Sequence, residues 1–90
     1  MVKKRERLEI IKDILKVLQT NRKMKPTRLL YASNLSPQMF KDYISELQMK
    51  KFIKLEQDKK DKNFFLLTDK GHNFLQEYKV IASFIENFGL

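Results

Sequence analysis

The order in which hydrophobic periodicity changes along this chain constrains its fold more than any other feature. Only two stretches read as extended: residues 52–57, with Ile53 and Leu55 on one face, and residues 63–67, which end in Phe64-Phe65-Leu66-Leu67. They flank the charged turn Asp58-Lys59-Lys60-Asp61-Lys62 and so predict one β-hairpin. Every other patterned stretch has helical spacing.

Upstream of the hairpin, residues 5–18 carry Leu8, Ile11, Leu15 and Leu18 on one stripe and Ile10, Ile14 and Val17 on the next. That wide apolar face suits more than one neighbour. Residues 20–25 are polar and read as a loop. Pro26 fits the first turn of a second, short helix, where its missing N–H costs nothing, and that helix reaches about Ser33. Asn34-Leu35 reads as a turn. Ser36 as N-cap and Pro37 behind it start a third helix, to about Lys50, with Phe40, Ile44 and Leu47 inward. Downstream, Thr68 as N-cap and Asp69 in the first turn start a last helix, to about Phe88. There Phe74, Tyr78, Ile81, Ile85 and Phe88 follow heptad spacing, with Leu75 and Ala82 as a narrower stripe beside them.

Three helices, a hairpin with a charged tip and a long helix predict an α+β, mostly helical fold: a winged helix-turn-helix with a coiled-coil-like C-terminal dimerisation helix. Residues 1–67 would form the DNA-binding domain and residues 68–90 the dimerisation helix. The segment Thr27-Arg28-Leu29-Leu30-Tyr31-Ala32-Ser33-Asn34-Leu35-Ser36 closely resembles one typical of small archaeal winged-helix proteins, notably the ten-kilodalton DNA-binding proteins of Sulfolobus-like archaea and related transcriptional regulators. Tyr43-Ile44, Phe52-Ile53 and the junction Leu67-Thr68-Asp69-Lys70-Gly71 also fit, so the resemblance runs from about Leu8 to Tyr78. It implies duplex DNA as ligand and a homodimer joined by the C-terminal helix, usually as an antiparallel coiled coil. Two departures stand out: Lys50-Lys51 occupies the place where many winged helices have glycine after the third helix, and the C-terminal helix is shorter than in the best-known members. A lysine enters a left-handed cap only at a cost.

Charge placement points the same way. Nineteen Lys and Arg against 11 Asp and Glu give a formal net charge of +8. Residues 1–30 hold 10 of the basic and 3 of the acidic side chains, whereas residues 68–90 are slightly acidic. A basic end and a near-neutral end divide the labour: one meets a polyanion, the other does something else.

The third helix of a helix-turn-helix offers its N-terminal part to the major groove, here Ser36, Gln38, Lys41, Asp42 and Ser45. Gln38 can pair bidentately with adenine, Lys41 can meet guanine or a phosphate, and Ser45 is unselective. Asp42 repels phosphate; it can accept from cytosine N4, pair with Lys41, or simply disfavour tight binding. At the start of the second helix, Lys25, Thr27 and Arg28 suit phosphate oxygens. Lys59, Lys60 and Lys62 suit phosphate or minor-groove contact from the wing, diluted by Asp58 and Asp61. Lys3, Lys4, Arg5 and Arg7 form either a basic arm or a solubilising tail. Tyr31 and Tyr43 read as packed rings with their hydroxyls at the surface, Phe64 and Phe65 as core or interface, and His72 as an exposed, ordinary residue.

The leading function is therefore a dimeric, sequence-reading or architectural duplex-DNA-binding protein acting as a transcriptional regulator, the third helix in the major groove and the wing on the backbone or minor groove. The dimer interface would be Phe74, Tyr78, Ile81, Ile85 and Phe88. The alternative is a winged-helix protein-interaction module that uses its C-terminal helix on another partner; attachment to a membrane surface through the first helix ranks last. With no cysteine, one histidine, no Gly-rich phosphate loop and no carboxylate cluster at metal spacing, neither an enzyme nor a metal or other cofactor is expected. The longest apolar-rich run, residues 8–18, is broken by Glu9, Lys12, Asp13 and Lys16, so no membrane partner is expected either. The expected place of action is the cytoplasm, on nucleoid DNA.

Overall fold

Helix α1 (Lys3–Asn21) is the surface on which the other elements pack, and a computed structural model describes it and the rest of residues 3–90, with side chains from residue 7 onward. Its wide apolar face buries Ile11, Ile14, Leu15 and Leu18 and half-buries Ile10 and Val17. That face meets helices α2 (Pro26–Ser33) and α4 (Asp69–Asn87) as well as the sheet. Leu8 lies on the same stripe but is 46% exposed, because the stripe begins one turn before the core does.

The sheet has three strands. β1 (Lys23–Met24), β2 (Ile53–Gln57) and β3 (Asn63–Leu67) lie in the order β1-β3-β2, all antiparallel. β2 and β3 form the expected hairpin, with Ile53 opposite Leu67 and Gln57 opposite Asn63. The expectation of a loop over residues 20–25 is corrected at Lys23 and Met24, which pair with Leu66 and Phe65. A two-residue strand carries no periodicity, yet it gives β3 backbone partners on its other side. Arg22, at φ 67°, turns the chain from α1 into it.

Helix α3 (Pro37–Met49) starts as its sequence dictates, with the Ser36 hydroxyl accepting from the Met39 N–H at 3.3 Å. Ile44 and Leu47 are buried, and Phe40 and Tyr43 pack against the core. The helix ends through Lys51, which holds φ 69° in the position otherwise suited to glycine. Its N–H donates to Gln48 O and that of Phe52 to Leu47 O, which closes the helix end.

A junction around Thr68 fastens β3 to α4. The Thr68 hydroxyl lies 2.5 Å from Lys51 O and 3.0 Å from Phe52 O, and accepts from the Gly71 N–H. The first half of α4 completes the domain's own core: Gly71 and Leu75 are buried, and Phe74 sits between Phe52 and Tyr78, with ring centroids 5.3 and 6.1 Å away. Beyond Tyr78 nothing among the described residues covers α4, and Val80, Ile81, Phe84, Ile85 and Phe88 are all exposed. No helix among the described residues is long and apolar enough to cross a membrane.

Candidate nucleic-acid interface

Packing of α2 and α3 decides which side chains face outward. In α2, Leu29 is fully buried, so the helix turns Thr27, Arg28 and Tyr31 away from the core, and all three are exposed. Tyr31 corrects its expected packing. It lies two residues, about 200° of helix, beyond Leu29, and stands 78% exposed in line with Thr27 and Arg28. Lys25, at the N-cap, is exposed and gives α2 no side-chain cap, so the start of the helix is left open for an external acceptor.

In α3, burial of Ile44 and Leu47 turns Gln38, Lys41, Asp42 and Ser45 to solvent, and Ser36 and Pro37 are exposed at its start. Among the described residues Asp42 makes no ion pair with its neighbour Lys41, as one of its expected roles had it. Its carboxylate accepts instead from the Gln38 side-chain amide, at 3.2 Å, one turn back. The stripe Gln38, Asp42, Ser45 continues at the same spacing to Met49, which is 79% exposed. Met49 was not among the expected contacts; its 4-3-4 spacing from Gln38 is the signal that finds it.

The wing is more ordered than its charge suggests. Asp58 Oδ1 accepts from the backbone N–H of Lys60 at 2.8 Å and of Lys62 at 2.9 Å, and Asp61 turns the tip with φ 62°. These bonds hold the Asp58 carboxyl below its ordinary value, with nearby Lys23 and Lys62 adding to the effect. Asp58 therefore shapes the turn rather than merely diluting its charge, and Lys59, Lys60 and Lys62 project from it exposed. Lys23 stacks over Phe64 at 4.6 Å from the ring centre and adds a cation at the base of the wing.

Arg7 is not part of a free basic arm. Its guanidinium makes a forked pair with Glu46 on α3, and Lys50 reaches the same carboxylate at 2.8 Å. The Lys50 and Arg7 bonds hold the Glu46 carboxyl below its ordinary value, against the opposing effect of burial. The side chains of Lys3, Lys4 and Arg5 lie outside the described residues. His72 is exposed as expected, with Nδ1 3.3 Å from the Gln19 amide. Among the described residues no group of His, Asp and Glu could hold a metal ion.

The residues read as a dimer seam fall into two sets. Phe74 and Tyr78 pack inside their own domain, whereas Ile81, Ile85 and Phe88 are exposed together with Val80 and Phe84, which lie beside the heptad seam.

A family profile described as winged helix-turn-helix matches residues 4–86. The chain belongs to the winged helix-turn-helix family. Protein MJ0290 of Methanocaldococcus jannaschii, described as uncharacterized, is 33% identical over 82 residues, which make up 91% of this chain and 36% of the relative. The chain thus spans about a third of that relative's length. Among solved structures, the DNA-binding protein Sso10a-2 of Sulfolobus solfataricus superposes with a TM-score of 0.72 at 21% identity, over 90% of this chain and 82% of that one. The transcriptional regulator PcaV of Streptomyces coelicolor, solved with its natural ligand, gives 0.73 at 18% identity, over 87% and 57%. The resemblance carried by residues 27–36 to the Sulfolobus proteins thus extends to the whole winged-helix fold.

Proposed function

We propose that this winged-helix chain is a dimeric duplex-DNA-binding protein that regulates transcription at nucleoid DNA. The observation that carries the reading is the outward set on α2 and α3. Lys25, Thr27, Arg28, Lys41 and Ser45 are all exposed, and none of these cations is tied into an ion pair among the described residues, whereas Arg7 and Lys50 are. In this reading Lys25, Thr27 and Arg28 hold phosphates, and the Tyr31 phenol extends that row. Ser36, Gln38, Lys41, Asp42 and Ser45 face base edges in the major groove. Lys59, Lys60 and Lys62 lie along the flanking backbone or minor groove. Residues 1–67 supply the DNA-binding unit and residues 68–90 the helix that joins two copies, through the exposed part of α4.

The similarity to proteins named as DNA-binding or as transcriptional regulators supports the reading, and so does the concentration of positive charge in residues 1–30.

Fluorescence anisotropy with random and promoter duplexes at several salt concentrations tests it. Each phosphate contact contributes about −0.9 to the slope of log K against log salt, so five to nine contacts over two subunits give roughly −4 to −8. That slope with a sequence preference surviving ~0.2 M salt identifies a site-specific regulator; the same slope without preference identifies an architectural protein. No binding at low salt rules out the DNA reading in favour of a protein-interaction module.

A further inference from the structure

Among the described residues, the hydrogen bond between Gln38 and Asp42 is the one side-chain contact on the outward face of α3 that joins two groups otherwise free for DNA. Both residues are exposed, and the bond spans one turn of the helix. An ionised carboxylate only accepts, whereas a glutamine amide carries a donating nitrogen and an accepting oxygen. Of the two orientations of the Gln38 amide, only the one that turns its nitrogen to Asp42 makes a bond; the other sets two acceptors against each other. Asp42 therefore fixes which end of the amide faces it. Gln38 keeps one N–H and its whole carbonyl oxygen for another partner.

We propose that Asp42 is a positioning residue whose carboxylate orients Gln38 to read adenine in the major groove. The proposal rests on the DNA-binding reading and deepens it. Adenine presents an N7 acceptor beside an N6 amino donor, which matches what Gln38 has left: one N–H to give and one oxygen to accept. Guanine offers two acceptors there, and the Gln38 oxygen would face one of them. This role also accounts for a negative charge on a helix meant for DNA. The carboxylate weakens attraction to phosphate everywhere and is recovered as discrimination at one base pair.

The test begins with duplexes selected by the wild-type chain from a random pool. In the selected sequence each adenine is replaced in turn by 7-deazaadenine, which pairs normally but lacks N7. At one position per half-site the replacement weakens wild-type binding by about tenfold, within the range for one good bidentate pair. Gln38→Ala abolishes that sensitivity. Asp42→Ala abolishes it too although Gln38 is present, and Asp42→Asn restores it in large part, since its amide oxygen still accepts. Asp42→Ala and Asp42→Asn remove the same charge, so their difference isolates the hydrogen bond. A bond that only stabilises the helix would move melting temperature, read by circular dichroism, without changing base preference. If Asp42→Ala keeps the 7-deazaadenine sensitivity, or the wild type binds its selected site without any, the proposal is overturned while the DNA-binding reading stands. If the wild type binds no duplex at low salt, both fall together.

Discussion

Gly71 packs so tightly beneath the Phe52 carbonyl that a β-carbon there would stand well inside van der Waals contact distance of its oxygen, and of the Leu67 side chain as well. The same carbonyl accepts the Thr68 N–H at 3.0 Å, so it cannot withdraw without loosening the start of α4. Replacement by alanine adds strain of about 2–3 kcal/mol, against a gain of about 1 kcal/mol in helix propensity. Gly71→Ala should lower stability by about 1–2 kcal/mol and the melting temperature by roughly 5–15 °C. Calorimetry measures the fall; an unchanged melting temperature would show that the junction yields.

Lys51 is a site of gain. Its left-handed backbone, φ 69°, costs a residue with a β-carbon about 1–2 kcal/mol, and glycine avoids that penalty while losing up to about 1 kcal/mol to chain entropy. Lys51→Gly should stabilise the fold by about 0.5–1 kcal/mol in urea titration, and Lys51→Ala should not.

How much of this was legible in the sequence depends on what each feature leaves behind. Ser36-Pro37 and Thr68-Asp69 are local chemistry, and the helices begin where those residues stand. The hairpin was legible because Phe64-Phe65-Leu66-Leu67 and Ile53 had to be buried next to a charged turn. β1 was not, since two residues cannot show a period. Tyr31 was misread because its neighbours Leu29 and Leu30 are apolar, and only the packing of Leu29 decides which way α2 faces. The role of Arg7 was hidden for a different reason: its partner Glu46 lies 39 residues away, a pairing no local pattern records. The bond from Gln38 to Asp42 was missed too, although a spacing of four on a helix permits it.

The Arg7–Glu46–Lys50 cluster makes stability fall in acid. The folded-state value of Glu46 is depressed below its ordinary 4.5, so its contribution is fully present above that value and is lost as pH drops through the lower folded one. The side chains remain partly exposed, which limits the contribution to about 1 kcal/mol. Glu46→Gln should lose stability at neutral pH and show a flatter pH dependence in the acid range. Parallel urea titrations at pH 7 and in acid read both effects.

Asp58 makes the wing's order testable without DNA. Because its carboxylate accepts from the Lys60 and Lys62 amides, Asp58→Ala should speed hydrogen exchange at those two N–H groups while leaving Leu66 and Phe65 in the sheet unchanged. The depressed value of Asp58 means the cap persists below its ordinary 3.8 and is lost only as pH falls through the folded value. Equal exchange in variant and wild type would mean the turn holds its shape through Asp61 alone.

The exposed face of α4 leads to the last prediction. At about 100° per residue, Val80, Phe84, Phe88, Ile81 and Ile85 fall within about 140° of the helix circumference, so they form one continuous apolar strip. Phe84 and Phe88 already pack together, with ring centroids 4.7 Å apart. A soluble monomer rarely leaves such a strip open, and a second copy of the same helix offers a matching one. The strip begins beyond Tyr78, past the half of α4 that Gly71, Phe74 and Leu75 pack against the domain, so pairing would leave the core intact. Ile81→Glu or Phe84→Glu would place a charge in the middle of the strip. With a burial penalty of a few kcal/mol, either should raise the dimer dissociation constant by about a hundredfold or more. Ser83→Glu, on the polar side with Lys79 and Glu86, should leave it unchanged. Light scattering on the three variants separates the outcomes: a wild type that is monomeric at micromolar concentrations, or an Ile81→Glu chain that stays paired, would rule out this face as the dimer contact.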